Sequence, residues 1–110
     1  MSADNYSLVA QAIQEKLQVQ ANYNGRHREM CPHALGTKNG RRQALFFQFG
    51  GESERGLEPG GDWRCLPVND LSDVSLHEGA WHTDHRYGRA RQTCVDEVDA
   101  AVPVEGRSTA

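Results

Sequence analysis

The sequence is short of aromatic side chains, of patterned cysteines and of long apolar runs. Aromatic residues make up 7% and apolar residues 37% of its 110 residues, which predicts a single domain with a modest core. Its three cysteines, Cys31, Cys65 and Cys94, are odd in number and widely spaced, so we expect no structural disulfide and a cytoplasmic location. No stretch has the apolar length of a membrane span or the form of a signal peptide, and we expect no membrane partner.

Excess positive charge is missing too, which argues against a general nucleic-acid coat protein. Twelve Lys and Arg residues stand against fifteen Asp and Glu residues, giving a net charge of −3. The charge is uneven, because residues 1–50 hold six basic and three acidic residues whereas residues 51–110 hold six basic and twelve acidic ones. The N-terminal half therefore presents either an electropositive face or an ordinary solvated surface.

What the sequence does contain is a series of strand patterns separated by glycine turns, over residues 19–76. Apolar and polar residues alternate over residues 18–23, and the dipeptide Asn24-Gly25 follows, which favours a two-residue hairpin loop. Such a hairpin pairs Val19 with Met30, Ala21 with Arg28, and Tyr23 with Arg26.

The remaining segments complete a small β-rich domain. An apolar stripe predicts a helix over residues 4–17, and a weaker one (Cys94, Val95, Val98 and Val102) predicts a second helix over Arg89–Val102. The predicted strands are Gln18–Tyr23, Arg26–Cys31, Gln43–Gly50, Trp63–Val68 and Ser72–Leu76. Pro32 should stop the second strand, because it has no N–H to donate to a ladder. The predicted core is Leu8, Ile13, Val19, Ala21, Leu45, Phe47, Phe49, Leu66, Val74 and Leu76.

These elements predict a mainly β (α+β) fold. We expect a small five-strand antiparallel barrel with an N-terminal helix and a C-terminal helix, because closure removes exposed sheet edges. Residues 1–102 form one domain in this interpretation, with a loop over residues 50–61, an irregular segment over residues 77–87 and a flexible tail over residues 103–110.

Several short motifs stand in a fixed order over residues 8–76. They are Ala12-Ile13 in the first helix, Tyr23 at a strand end, Arg28 before Pro32 and Leu35, and Arg64-Cys65-Leu66 in a later strand. In this order they resemble a WYL domain, a small Sm-like barrel found mostly in bacterial regulators. The tripeptide that names the family corresponds here to Gln43-Ala44-Leu45, and its late Arg-Ile to Asp70-Leu71. The resemblance implies a free-standing, divergent, regulatory member that senses a ligand, with nucleotides or nucleic acid as the suspected ligands.

Two arginines lie on apolar faces of the predicted strands, Arg28 on the second and Arg64 on the fourth. Burying an unpaired charge is costly, so each arginine either pairs with a carboxylate, reaches the rim or surrounds an anionic ligand. We therefore predict a ligand-binding site made by Tyr23, Arg28, His33 and Arg64 for a small anionic ligand such as a nucleotide.

Other functions have weaker support in the sequence. The alternative to the small ligand is single-stranded nucleic acid, contacted by Tyr23, Arg26, Arg28, Arg41 and Arg42. No set of acid, base and nucleophile suggests an enzyme, and no cofactor is expected. The spacing of His77, His82, His85 and Cys94 matches no compact zinc motif, so we predict no metal. A homodimer is left open.

Overall fold

A computed structural model describes residues 4–51 and 61–103 of the chain. The elements in chain order are α1 (Asn5–Glu15), β1 (Gln18–Tyr23), β2 (Arg26–Lys38), β3 (Arg41–Gly51), β4 (Asp62–Pro67), a 3-10 turn (Val68–Asp70), β5 (Ser72–His77), α2 (Tyr87–Cys94) and β6 (Glu97–Ala101). The predicted loop over residues 50–61 and the predicted tail lie mostly outside the described residues. No helix in the described ranges is long and apolar enough to span a membrane.

Within residues 4–51 and 61–103 the strands form one six-stranded antiparallel sheet and two helices accompany it, so the prediction of a mainly β fold with two helices is confirmed there. The strand order is β4-β3-β2-β1-β5, and β6 pairs with the second half of β2. Among the described residues β4 and β5 do not pair, and the sheet is open between them. The sixth strand was not predicted from the sequence.

The hairpin of β1 and β2 has the predicted register. Val19 lies opposite Met30, Ala21 opposite Arg28, and Tyr23 opposite Arg26. Asn24 and Gly25 both have positive φ, 53° and 72°, as a tight two-residue loop requires. Arg28 therefore lies on the same face as the buried Val19, Ala21 and Met30.

The expected stop at Pro32 is wrong, because β2 continues to Lys38. Pro32 lies opposite Phe46, and the register against β3 shifts between Pro32 and Ala34. A proline is tolerated within a sheet at such an irregularity, where its missing N–H does not interrupt a regular ladder.

The predicted helix over Arg89–Val102 is also wrong beyond Cys94. The chain leaves the helix at Val95, which is extended (φ −132°, ψ 139°), and then forms β6 against β2. Within the predicted stripe Val95 and Val102 are buried, but Val98 is 45% exposed. β-Branched residues spaced three and four apart suit an edge strand as well as a helix, and here pairing with β2 determines the structure.

The sheet has two covered faces. One, called here the apolar face, carries Val19, Ala21, Met30, Phe46 and Leu66; the other, called the His33 face, carries Cys31, His33, Phe47, Trp63 and Cys65. Helix α1 buries Val9, Ala12 and Ile13, and α2 contacts β2, β3 and β4. Of the predicted core, Leu8, Phe49, Val74 and Leu76 are only partly buried, and the other six residues are buried.

Candidate ligand-binding site

Arg28 is held within the protein by its neighbours. It is 2% exposed, and its Nη1 donates to Gln48 Oε1 (3.5 Å) while its Nη2 donates to the backbone oxygen of Tyr23 (3.3 Å). Its guanidinium carbon lies 5.2 Å from the centre of the Tyr23 ring, which is a cation–π distance. The structure thus brings Tyr23 and Arg28 together, and does so through interactions within the protein.

Arg64 lies on the same face as Arg28 but has different partners. Arg64 lies opposite Phe46 of β3, and Phe46 lies opposite Pro32 of β2. Pro32 and Arg28 are four residues apart on β2, so their side chains point to the same face, and Arg64 shares that face. Its Nη1 forms an ion pair with Asp62 at 3.3 Å and donates to the backbone oxygen of Trp63. Arg64 is therefore placed by an acidic neighbour on its own strand.

His33 points to the opposite face from Arg28, as its contact with Trp63 shows; it lies at the register shift between Pro32 and Ala34, where the regular alternation of the strand is interrupted. It is 1% exposed and packed among aromatic rings. The ring centres of Trp63, Trp81 and Tyr87 lie 4.7, 4.9 and 4.9 Å from that of His33. The four predicted site residues are thus divided between the two faces of the sheet.

The protonation of His33 follows from its surroundings. Its Nδ1 lies 2.9 Å from the backbone oxygen of Cys31, and a carbonyl only accepts, so Nδ1 carries the proton. Burial lowers the pKa of His33 to about 4, so the ring is neutral at pH 7. Its Nε2 is then an acceptor; this atom is buried and has no hydrogen-bond partner among the described residues. A buried, unsatisfied acceptor costs roughly 1–3 kcal/mol.

A cavity of about 340 Å³ adjoins His33. Its size is within the range of roughly 300–1,000 Å³ typical of small-ligand sites. Because Nδ1 is turned back to its own strand, Nε2 is the polar atom that the ring presents away from that strand. The residues lining the cavity are Lys16, His33, Trp81, Thr83, Asp84, His85, Tyr87, Gly88, Val102 and Pro103.

The charges around the cavity favour an anion. Hydrogen bonds from Arg86, aided by the Trp63 indole, lower the pKa of Asp84 well below its usual range. Arg86 Nη2 lies 2.6 Å from Asp84 Oδ2, so this carboxylate is already neutralised. Lys16, by contrast, lies with its Nζ 5.8 Å from the centre of the Trp81 ring, and none of the described ion pairs includes it.

The start of α2 also borders the cavity, through Gly88. Its first N–H groups are engaged by Asp84, whose Oδ1 accepts from the Arg86 N–H at 2.8 Å and whose backbone oxygen accepts from the Tyr87 N–H at 3.3 Å. Lys16 is therefore the group that brings positive charge to the cavity lining.

The walls of the cavity are fixed to the sheet by specific hydrogen bonds. The single hydroxyl proton of Tyr87 lies between two acceptors, the backbone oxygens of His33 (2.9 Å from Oη) and Val102 (2.6 Å from Oη). The backbone N–H of His82 bonds the Cys31 sulfur at 3.3 Å, and Gln18 Nε2 donates to the backbone oxygen of Ala80. The segment predicted to be irregular, residues 77–87, is thus attached to β1 and β2.

The prediction of no structural disulfide is wrong. Cys65 of β4 and Cys94 at the end of α2 are bonded, and their Cα atoms are 5.6 Å apart, a normal separation for a bridge. Their separation of 29 residues hides the pair in the sequence, because only the fold brings the two positions together. Cys31 is free and buried, and burial raises the pKa of its thiol to about 11.

The residues predicted to contact nucleic acid do not form one surface. Arg41 and Arg42 are exposed, but Arg28 is buried, and Arg42 stacks on Tyr6 with its guanidinium carbon 4.6 Å from the ring centre. Within residues 4–51 and 61–103, no group of three or more His, Cys, Asp or Glu side chains is arranged to hold a metal ion.

Sequence reasoning missed Lys16, Trp81 and Tyr87 as site residues. The density of aromatic and His residues over 77–87 was the available signal, and in a chain with 7% aromatic residues it was a strong one. Comparison with known proteins adds no assignment, since no family model, no curated protein and no solved structure matches this chain.

Proposed function

We propose that this protein is a non-enzymatic, regulatory ligand-binding module, and that the cavity beside His33 takes a small anionic ligand with a planar ring, such as a nucleotide. The observation that carries the proposal is the buried Nε2 acceptor of His33, without a partner among the described residues, beside an aromatic-walled cavity with Lys16 at its edge. A nucleobase offers both a flat surface for Trp81 and N–H donors for Nε2. A phosphate suits the Lys16 ammonium.

The strand arrangement supports a divergent WYL-like, Sm-like small barrel as the fold type. The strand order in the sheet is β4-β3-β2-β1-β5, and a 3-10 turn joins β4 to β5 along the chain. A small barrel with this order would close by pairing its two end strands, β4 and β5. A helix precedes the first strand, as the resemblance implies. Bacterial origin and a cytoplasmic location are part of this proposal through the resemblance alone, because the Cys65–Cys94 disulfide removes the cysteine argument for the cytoplasm.

A binding role is favoured over an enzymatic one by the state of the nucleophile and base candidates. The Cys31 thiol, with a pKa of about 11, is protonated at pH 7 and a poor nucleophile. His33, with a pKa of about 4, is a weak base whose Nδ1–H is engaged by Cys31. A group that is neutral, buried and fixed is suited to recognition.

Titration with three probes tests the proposal. Guanosine 5′-monophosphate has a ring with N–H donors and a phosphate, phenyl phosphate lacks the N–H donors, and ribose 5-phosphate lacks the aromatic ring. We expect quenching of tryptophan fluorescence with affinities falling in that order, because Trp63 and Trp81 adjoin His33. Equal binding of all three probes, or of none, would refute the ligand class.

Variants locate the site. His33→Phe should weaken the nucleotide at least tenfold, and Lys16→Gln should weaken all the phosphates. The assignment of Tyr23, Arg28 and Arg64 as ligand-binding residues stays a prediction, and the same titration tests it. If the ligand lies beside His33, Arg64→Gln should leave the affinity unchanged. If the ligand lies on the apolar face, Arg64→Gln should abolish binding.

A further inference from the structure

The Cys65–Cys94 disulfide closes the stretch of chain that builds the cavity. Six of the ten lining residues lie between the two cysteines: Trp81, Thr83, Asp84, His85, Tyr87 and Gly88. The other four are Lys16, His33, Val102 and Pro103. The bond therefore restricts the freedom of the residues between the two cysteines, whereas His33 on β2 and Lys16 at the end of α1 lie outside the closed loop.

Helix α2 is attached to the sheet mainly at its two ends, through Tyr87 at its start and Cys94 at its end. It has eight residues, of which only Tyr87 at its start and Cys94 at its end are buried. A helix this short is not stable alone in water, so its contacts with the sheet must hold it. Besides the disulfide, Gln43 Nε2 donates to the backbone oxygen of Cys94 at 2.8 Å, which keeps the helix end near β3 when the sulfurs separate.

Cys65 is accessible and Cys94 is not. Cys65 is exposed on β4, a strand at the edge of the sheet, whereas Cys94 is 1% exposed. A dithiol reductant can thus approach the Cys65 sulfur. Thiol–disulfide exchange proceeds by attack of a thiolate on one sulfur with departure of the other.

We propose that this disulfide is a redox switch that sets the order of the cavity wall and through it the affinity of the His33 site; this inference rests on the proposed function. A thiolate of a dithiol reductant attacks Cys65 Sγ, the Cys65–Cys94 bond breaks, and Cys94 leaves as a thiolate that takes up a proton. The second thiol of the reductant resolves the mixed disulfide and releases Cys65 as a thiol. Two electrons and two protons pass to the protein, and the reductant becomes a disulfide.

Loss of the bond should leave the fold in place but loosen residues 78–94. The cavity is then less preorganised, and ligand binding must order the wall again. We expect the amides of this segment to exchange with solvent at least tenfold faster in the reduced protein, and guanosine 5′-monophosphate to bind at least tenfold more weakly.

The experiment compares oxidised protein, reduced protein and the Cys65→Ser/Cys94→Ser double variant, by hydrogen exchange and by nucleotide titration. The double variant should behave as reduced protein with or without reductant, and Cys31→Ala should keep the redox response. Thiol titration of the denatured oxidised protein should give one free thiol, from Cys31. Three free thiols, or equal exchange rates in the two redox states, overturn the switch whatever the titration shows.

The two proposals fail in different ways. Suppose that amide hydrogen exchange over residues 78–94 becomes faster on reduction but the oxidised protein binds none of the three probes. The ligand proposal is then wrong, and the disulfide cannot be a switch that controls ligand binding. If the nucleotide binds equally to both redox states, the switch is wrong and the ligand proposal stands.

Discussion

The two faces of this sheet are built by different means. The apolar face is mainly aliphatic and phenyl-lined, and Val19, Met30 and Phe46 on it are all fully buried. Its buried polar side chains, Arg28 and Gln48, bond each other. The His33 face is covered by a polar, aromatic-rich segment held by hydrogen bonds and a disulfide, and it contains a buried polar atom without a described partner. The buried polar groups of the apolar face bond each other, whereas the His33 face retains an unsatisfied acceptor, as expected of a surface that meets a ligand.

Truncation on the apolar face should have the largest effect. Phe46→Ala removes a fully buried ring and should lower the free energy of unfolding by about 3–5 kcal/mol, measured by urea denaturation. Val98→Ala is the matched control: it lies 45% exposed on β6 and should change stability by less than about 0.5 kcal/mol. Equal effects of the two substitutions would contradict the assignment of the core.

Removing the disulfide should have the next largest effect. Closing a loop of 29 residues restricts the unfolded chain, so Cys65→Ala/Cys94→Ala should lower the free energy of unfolding by about 3–4 kcal/mol. Reductant should lower the thermal midpoint of the wild type and should leave the thermal midpoint of the double variant unchanged. A midpoint of the wild type that is insensitive to reductant would show that the bridge does not constrain the protein.

Acid should destabilise the protein through the His33 face. His33 titrates near 6.5 when unfolded and at about 4 when folded, so between these values the unfolded state binds more protons. Stability is therefore full above pH 6.5 and falls by about 3 kcal/mol as the pH drops to 4. His33→Phe should remove this loss from the stability–pH curve, and a curve that keeps its slope would refute a buried neutral histidine.

The smallest effect should come from the start of α1. Asp4 accepts a hydrogen bond from the Ser7 N–H at 2.8 Å, so Asp4→Ala should cost about 1 kcal/mol, whereas Asp4→Asn should cost much less. Both should leave nucleotide affinity unchanged, because this cap is at the opposite end of α1 from Lys16. A change of affinity in Asp4→Ala would show that the helix and the cavity are coupled.

The β1–β2 hairpin was predictable because local chemistry determines it. Alternating residues fix which side chains share a face, and Asn24-Gly25 fixes the loop, so the pairing of Ala21 with Arg28 follows from a few neighbouring residues. Helix α1 was predictable for the same reason, since its stripe and its Asp4 cap are local features.

The His33 face was not predictable in this way. Arg28 and His33 lie on opposite faces of the sheet, so the two could not share a site. The direction of His33 is set at the irregularity between Pro32 and Ala34, which the sequence did not predict. The cavity wall depends on contacts such as Tyr87 to His33 and Cys65 to Cys94, across 54 and 29 residues, which no local pattern encodes. β6 was missed because pairing with β2 overrides a weak helical stripe.

The most direct test of the central claim is NMR of the His33 ring nitrogens at pH 7 during titration with guanosine 5′-monophosphate. The account predicts a protonated Nδ1, an unprotonated Nε2 and a shift of the Nε2 resonance as the nucleotide donates a hydrogen bond to it. Phenyl phosphate, which has no ring N–H donor, should produce a much smaller shift. An Nε2 that is protonated at pH 7, or that does not move at saturating nucleotide, would contradict the assignment of this cavity as the ligand site.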